Sequence, residues 1–204
     1  MKQQTEEWFA ARLGKVTGSR ITDVLAKGKG REEAVTREGY RAELMLERYT
    51  RLSQEKTYKS GAMMGGLEAE PHARNAFRFD RGVEVVEVGF IDHPTIPFFG
   101  CSPDGLIGDD GGVEFKCPEP AAFSRAMRGE MPARKYLLQC QTNMACTQRG
   151  WWELVTYRDG CPLIRVRVSR SEEVIAEIER EVRKFLDEVD RDLDEALRRY
   201  PRII

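Results

Sequence analysis

The sequence predicts a mixed α/β or α+β domain, and three observations carry that reading. Helical periodicity dominates both ends, Val-rich extended segments gather in the middle, and a hairpin signal precedes a long amphipathic closing stretch. At 204 residues the chain can bury a sizeable core, and without repeats, low-complexity segments or long linkers it reads as one domain over 1–204.

Taken in order, Trp8, Phe9 and Leu13 give a short apolar helical face, and Ser19 stands where it could cap a helix carrying Ile21, Val24 and Leu25. The segment 27–31, with Gly28 and Gly30, reads as a loop. Tyr40, Leu44, Leu46 and Tyr49 mark a longer helix, and Leu67 to Phe79 another. Val83 to Ile91 reads as a strand, as do Phe98 to Cys101 and Gly112 to Cys117, the last two separated by a turn-rich stretch from Asp104 to Gly111. Residues 119–130 and 134–147 read as helices. Trp151 to Tyr157 and Leu163 to Val168 read as paired strands around Asp159-Gly160. Val174, Ile178, Val182, Phe185, Val189, Leu193 and Leu197 then recur at helical spacing.

Composition narrows the function classes. No apolar run approaches the ~20 residues of a membrane span, and the first residues lack the apolar core of a secretory signal, so a cytoplasmic location without membrane contact is expected. Five cysteines without C-x-x-C spacing argue against a disulfide framework, a zinc ribbon or an iron–sulfur cluster, and read as packed reduced thiols. The net charge is only −1, but it is uneven: residues 1–60 carry 13 Lys/Arg against 9 Asp/Glu, and residues 171–204 carry 7 against 11. Lys15, Arg20, Lys27, Lys29 and Arg31 stand against a single acid, Asp23, and form a candidate DNA-binding patch whose ordinary alternative is a solvated face.

The stretch Val113-Glu114-Phe115-Lys116-Cys117 carries the most chemistry. Strand alternation turns Glu114 and Lys116 to one side and the apolar residues to the other. Alone, such a pair describes an ordinary salt-bridged face. Asp104, at the end of an apolar strand, would converge on Glu114 if the two strands pair, and two converging carboxylates repel unless a cation lies between them. Hard oxygen donors suit Mg²⁺ or Mn²⁺. Glu70 shares a helical stripe with Leu67, Ala73 and Phe77, where a carboxylate needs a partner or a metal, whereas Glu68 falls off that stripe. Gln139 shares a helix face with Tyr136 and Asn143, and its alternative is a surface amide.

These pieces fall into five ordered motifs: Trp8 to Gly14 with Thr17-Gly18-Ser19, Gly66 to Arg74 with Phe77, Cys101-Ser102-Pro103-Asp104-Gly105, Glu114-Phe115-Lys116-Cys117-Pro118, and Tyr136 to Gln141. Over nearly its whole length the chain resembles the lambda exonuclease, or YqaJ-like viral recombinase, family of PD-(D/E)xK nucleases. It departs at Gly65, where relatives often carry Trp at the duplex entrance. The resemblance implies a restriction-endonuclease-like α/β core with a central mixed sheet flanked by helices. It implies a Mg²⁺-dependent 5′-to-3′ double-stranded DNA exonuclease, with Mn²⁺ able to substitute, that leaves 3′ single-stranded tails for a strand-annealing recombinase, working as a homotrimeric ring. By the same resemblance Asp104, Glu114 and the Phe115 carbonyl hold the metal, and Glu70 serves a second ion or its water. Lys116 holds the attacking water and offsets phosphate charge, Gln139 orients the substrate, and Arg12, Ser19 and Ser102 bind a terminal 5′-phosphate. A restriction-type endonuclease and a non-catalytic DNA-binding module are the rival readings.

Overall fold

The computed structural model describes residues 1–28, 33–54 and 61–202; of residues 61–64 and 67 the backbone alone is described. Lys29 and Arg31 of the basic patch, and the side chain of Leu67, lie outside the described set. In chain order the elements are α1 (Glu6–Arg12), β1 (Val16–Thr17), a 3₁₀ turn (Gly18–Arg20), α2 (Ile21–Val24), α3 (Val35–Thr50), α4 (Gly61–Arg81), β2 (Ile91–Asp92), β3 (Phe99–Cys101), β4 (Gly105–Ile107), β5 (Gly111–Lys116), α5 (Pro120–Met127), α6 (Arg134–Thr147), β6 (Trp151–Thr156), β7 (Ile164–Ser169) and α7 (Glu172–Arg199). The mixed α/β class expected from sequence is what the chain adopts, with its strands in two mixed sheets. Among the described residues no helix is long and apolar enough to cross a membrane, and the five cysteines are free thiols.

The chain forms two compact units. One takes in Met1–Glu55, Gly89–Ser102 and Ser171–Ile204. Its helix α1 starts at Thr5, whose hydroxyl accepts from the Trp8 amide at 3.3 Å, with Glu6 and Glu7 in the first turn where the helix dipole favours acids. Helix α7 starts the same way at Ser171 and buries Ile175, Ile178, Val182, Phe185 and Val189. Helix α3 packs on α7, and ion pairs Arg37–Glu188 (2.6 Å) and Arg48–Asp190 (2.5 Å) fix the pair across buried arginine stems. A three-stranded sheet of order β1-β3-β2 completes the unit, with β1 parallel to β3.

The other unit takes in Lys56–Val88 and Pro103–Arg170. Its sheet has the order β4-β5-β6-β7, with β5 and β6 parallel and the outer pairs antiparallel. Strand β5 is central, and its Val113 and Phe115 join Ile107, Val155 and, from α4, Ala73 and Phe77 in one apolar cluster. The expected hairpin is present: β6 pairs with β7 from Trp151↔Ser169 to Thr156↔Ile164, and Gly160 turns the chain at φ +70°.

Two expectations are corrected. Val83 to Ile91 is not a continuous strand: only its last residue, Ile91, belongs to one, at the start of β2. Val86 makes a single bridge to Leu106, and the segment passes from one unit to the other at Val88–Gly89, so no continuous ladder can form along it. The turn-rich stretch after Asp104 hides strand β4, which was missed because its first residue must be glycine. A Cβ at Gly105 would lie 2.2 Å from the Val85 side chain.

Candidate active site

The strand that brings Asp104 to Glu114 differs from the one anticipated. Strand β3, which precedes Asp104, belongs to the other sheet. It is β4, beginning directly after Asp104, that pairs antiparallel with β5 in the register Gly105↔Val113. That register sets Asp104 opposite Glu114 on the same face. The Asp104 carboxylate accepts from the Phe115 amide at 2.7 Å, which fixes it against the strand carrying Glu114.

Glu114 is only 2 % exposed, so its charge needs partners, and three donors supply them. Lys116 Nζ and Gln139 Nε2 each donate to Oε1 at 2.7 Å, and Asn143 Nδ2 donates to Oε2 at 3.0 Å. Lys116 Nζ also donates to Gln139 Oε1 at 3.2 Å and lies 5.0 Å above the Tyr136 ring. Helix α6 delivers Tyr136, Gln139 and Asn143 on one face, as their spacing predicts. Glu70, on α4 just before Pro71, pairs with Arg74 at 2.7 Å, and Arg74 reaches on to the Asp104 carbonyl at 3.3 Å. Arg74 and Asn143 were not singled out as site residues, although each lies four positions after one that was.

Electrostatics bind these groups into one cluster. Burial first, then the charges of Glu114 and Glu70, pushes the Asp104 carboxyl well above the usual aspartate range. Glu70 is raised by burial, against the lowering pull of Arg74. Burial lowers the Lys116 ammonium, but the charges of Glu114 and Asp104 outweigh it and hold it above its ordinary value, so it stays a cation. Burial, then Glu70 and Asp104, pushes the Cys117 thiol up to about 11.

The mutual repulsion of Asp104, Glu114 and Glu70 is what a divalent cation would relieve. The facing donors are oxygens, and among the described residues no three His, Cys, Asp or Glu side chains close a shell by themselves. Two carboxylates and a few further oxygens would suit Mg²⁺, which takes a small number of protein carboxylates and keeps other oxygen ligands. Asn143→Leu should cost about 1–3 kcal/mol by stranding a buried carboxylate oxygen, a loss readable in urea unfolding. Unchanged stability would show that water replaces the amide.

The three residues expected at a 5′-phosphate lie in the other unit. The Arg12 guanidinium stacks 4.1 Å over the Trp8 ring, and Trp8 Nε1 donates to Ser102 Oγ at 2.9 Å, so Trp8 links two of them. The parallel pairing of β1 with β3 ends at Thr17↔Gly100, and Ser19 and Ser102 both lie beyond it. Ser19 does not cap a helix, however. It sits inside the 3₁₀ turn with its hydroxyl 3.3 Å from that of Thr17, and α2 after it has only four residues, too few for a useful dipole. The cavity that Arg12 lines with Lys15, Thr17 and Arg20 holds about 20 Å³, room for roughly one water. In the basic patch, Lys15 pairs with Asp92 at 2.6 Å, Arg20 pairs with Asp23 and with Glu43 (3.0 Å), and Lys27 is exposed.

Residues 7–150 match a family model described as the YqaJ-like viral recombinase domain. No curated protein matches. Among solved structures the chain is similar to LHK-Exo, an alkaline exonuclease from Laribacter hongkongensis, at 44% identity over 96% of this chain and 97% of that one, with a TM-score of 0.87. Against LHK-Exo in complex with dAMP the TM-score is 0.88 at the same identity and coverage. A phage related exonuclease from Haemophilus somnus 129PT shares the fold, with a TM-score of 0.69 at 14% identity over 89% of this chain and 96% of that one.

Proposed function

From the premise that this chain belongs to the YqaJ-like viral recombinase family, the family of lambda exonuclease, we propose that it is a Mg²⁺-dependent exonuclease. It degrades duplex DNA from 5′ to 3′ and leaves 3′ single-stranded tails. One observation above all supports this reading: Glu114 is bonded to Lys116, Gln139 and Asn143 on one side of a strand whose next amide holds Asp104.

A bound Mg²⁺ would supply an acidified water and positive charge on the phosphate. Asp104, Glu114 and the Phe115 carbonyl would hold it, and Glu70 would hold a second ion or its water. Lys116 keeps its proton and donates toward the phosphate and the attacking water, balancing charge as it develops. Gln139, fixed between Glu114 and Lys116, orients both. The test is end-labelled linear duplex and closed circular duplex, each with Mg²⁺ or a chelator. Mononucleotide release from the linear form alone, with Mg²⁺ alone, is expected. Cleavage of the circle would favour the restriction-type endonuclease, and no cleavage of either the DNA-binding module.

In this proposal Arg12, Ser19 and Ser102 receive the 5′-phosphate. A charge-assisted contact is worth about 1.5–3 kcal/mol, or roughly 10- to 150-fold, so Arg12→Ala should lose most of the preference for a 5′-phosphate over a 5′-hydroxyl end. Equal wild-type rates on the two ends would remove this pocket. Lys15, Arg20, Lys27, Lys29 and Arg31 track the duplex, but a net charge of −1 gives weak global attraction that salt screens. Topological enclosure of the duplex by a homotrimeric ring compensates, and a single-strand annealing recombinase takes the product strand. Light scattering should give a mass near three chains; a monomer of high processivity would refute the ring.

A further inference from the structure

We propose that a groove of about 300 Å³ beside the acidic cluster is a nucleobase subsite, taking the base of a nucleotide that flanks the scissile phosphate. The inference rests on the exonuclease reading and deepens it.

The groove adjoins the cluster along the chain on both of its walls. Ala69 immediately precedes Glu70, and Cys117 and Pro118 immediately follow Lys116. Its volume lies at the lower end of small-molecule sites, the scale of one planar group rather than of a duplex. On the α4 side it is lined by Gly65, Gly66 and Ala69. Among the described residues a Cβ at Gly65 or Gly66 would meet nothing within 4 Å, so no contact described there explains why these two helix positions carry no side chain. Glycine in a helix interior is disfavoured, and its cost here leaves open space.

Across the groove stands Tyr157. Its ring packs partly against the apolar cluster around Phe115, and its hydroxyl donates to Asp159 at 3.4 Å. One edge of the ring is packed and the rest stays accessible, and bases stack on such rings whatever their sequence. The charge balance argues for a base rather than a phosphate. Glu119 and Asp159 outnumber Arg158 in the lining, and a phosphate would be repelled. A base is neutral, and its exocyclic amines and ring N–H groups are donors that carboxylates accept.

The test uses the full-length protein with linear duplexes bearing one abasic residue at the first or the second 5′ nucleotide. In single-turnover digestion with Mg²⁺, loss of the base at one of these positions should slow the wild type on the order of ten-fold. Gly65→Trp fills the groove and Tyr157→Ala removes the platform, so each should slow the intact duplex by a similar factor and spare the abasic one. Equal wild-type rates on intact and abasic duplexes, or an intact-to-abasic ratio unchanged in Gly65→Trp, would overturn the subsite. A second measurement needs no cleavage: 2-aminopurine at the same positions, bound in chelator, should be quenched by the wild type and not by Tyr157→Ala. Quenching without digestion keeps the subsite and sinks the exonuclease reading; equal fluorescence with both proteins removes the subsite alone. Thermal unfolding of Gly65→Trp should match the wild type.

Discussion

Glu114→Gln is expected to lower Mg²⁺-dependent cleavage by ~10²-fold or more while the fold persists. The substitution keeps the size of the side chain and removes the charge. Its new amide would meet the Asn143 amide donor at the place of Oε2, and a flip of Asn143 turns an acceptor to it. The other oxygen still accepts from Lys116 and Gln139. What is lost is the anion that anchors the Lys116 ammonium and that, under the proposed mechanism, would hold the metal. Lys116→Ala should lose a similar factor for the complementary reason, the missing cation in the transition state. Single-turnover rates with matched circular dichroism melts check both. Near wild-type cleavage by Glu114→Gln would exclude Glu114 as a metal ligand.

Asp104→Asn should separate activity from stability in opposite directions. Cleavage should fall as far as in Glu114→Gln, since Asp104 is the second anionic donor of the proposed metal site. Stability without divalent ions should rise. The folded protein raises the Asp104 pKa, through burial and the charges of Glu114 and Glu70. A raised folded value means that the protonated form is favoured on folding. Its contribution is present below the unfolded value, near 3.9, and is lost as pH rises through the folded value. At neutral pH the wild type carries that loss, and asparagine, uncharged yet able to accept from the Phe115 amide, does not. In chelator the variant should melt higher at pH 7 and its advantage should vanish in acid, each kcal/mol appearing as about 2–4 °C. Added Mg²⁺ should raise the wild-type Tm and leave the variant unmoved. A variant that melts lower than wild type at pH 7 in chelator would show that the carboxylates are already compensated.

Elements with a strong local signature were legible. The closing helix, the Trp151–Thr156 and Ile164–Ser169 hairpin and the α6 face carrying Gln139 follow from periodicity and turn chemistry within one segment. Val83 to Ile91 differs from its expected strand because Val content reports a half-buried surface, whereas a strand also needs a neighbour along its length, and before Ile91 this segment finds one bridge. Strand β4 was invisible because Gly105 and the turn residues around it mark a loop until Val85 is known to press against them. Ser19 looked like a cap because a capping residue is recognised by the helical turns after it, and Ile21 to Val24 yields a single turn.

By itself, the sequence determined which residues could do chemistry and which face of a strand or helix each would occupy. Those properties depend on residue type and on backbone period, both local. Tertiary structure alone decided who meets whom. It paired Asp104 with the Glu114 strand through β4 rather than β3, and gave Glu114 its third donor in Asn143. It also turned Arg74 onto Glu70 and the Asp104 carbonyl, and engaged Lys15 and Arg20 in ion pairs. Charge interactions fall steeply with distance and strengthen with burial, so a carboxylate cluster acquires its shifted protonation only when separated segments are packed together.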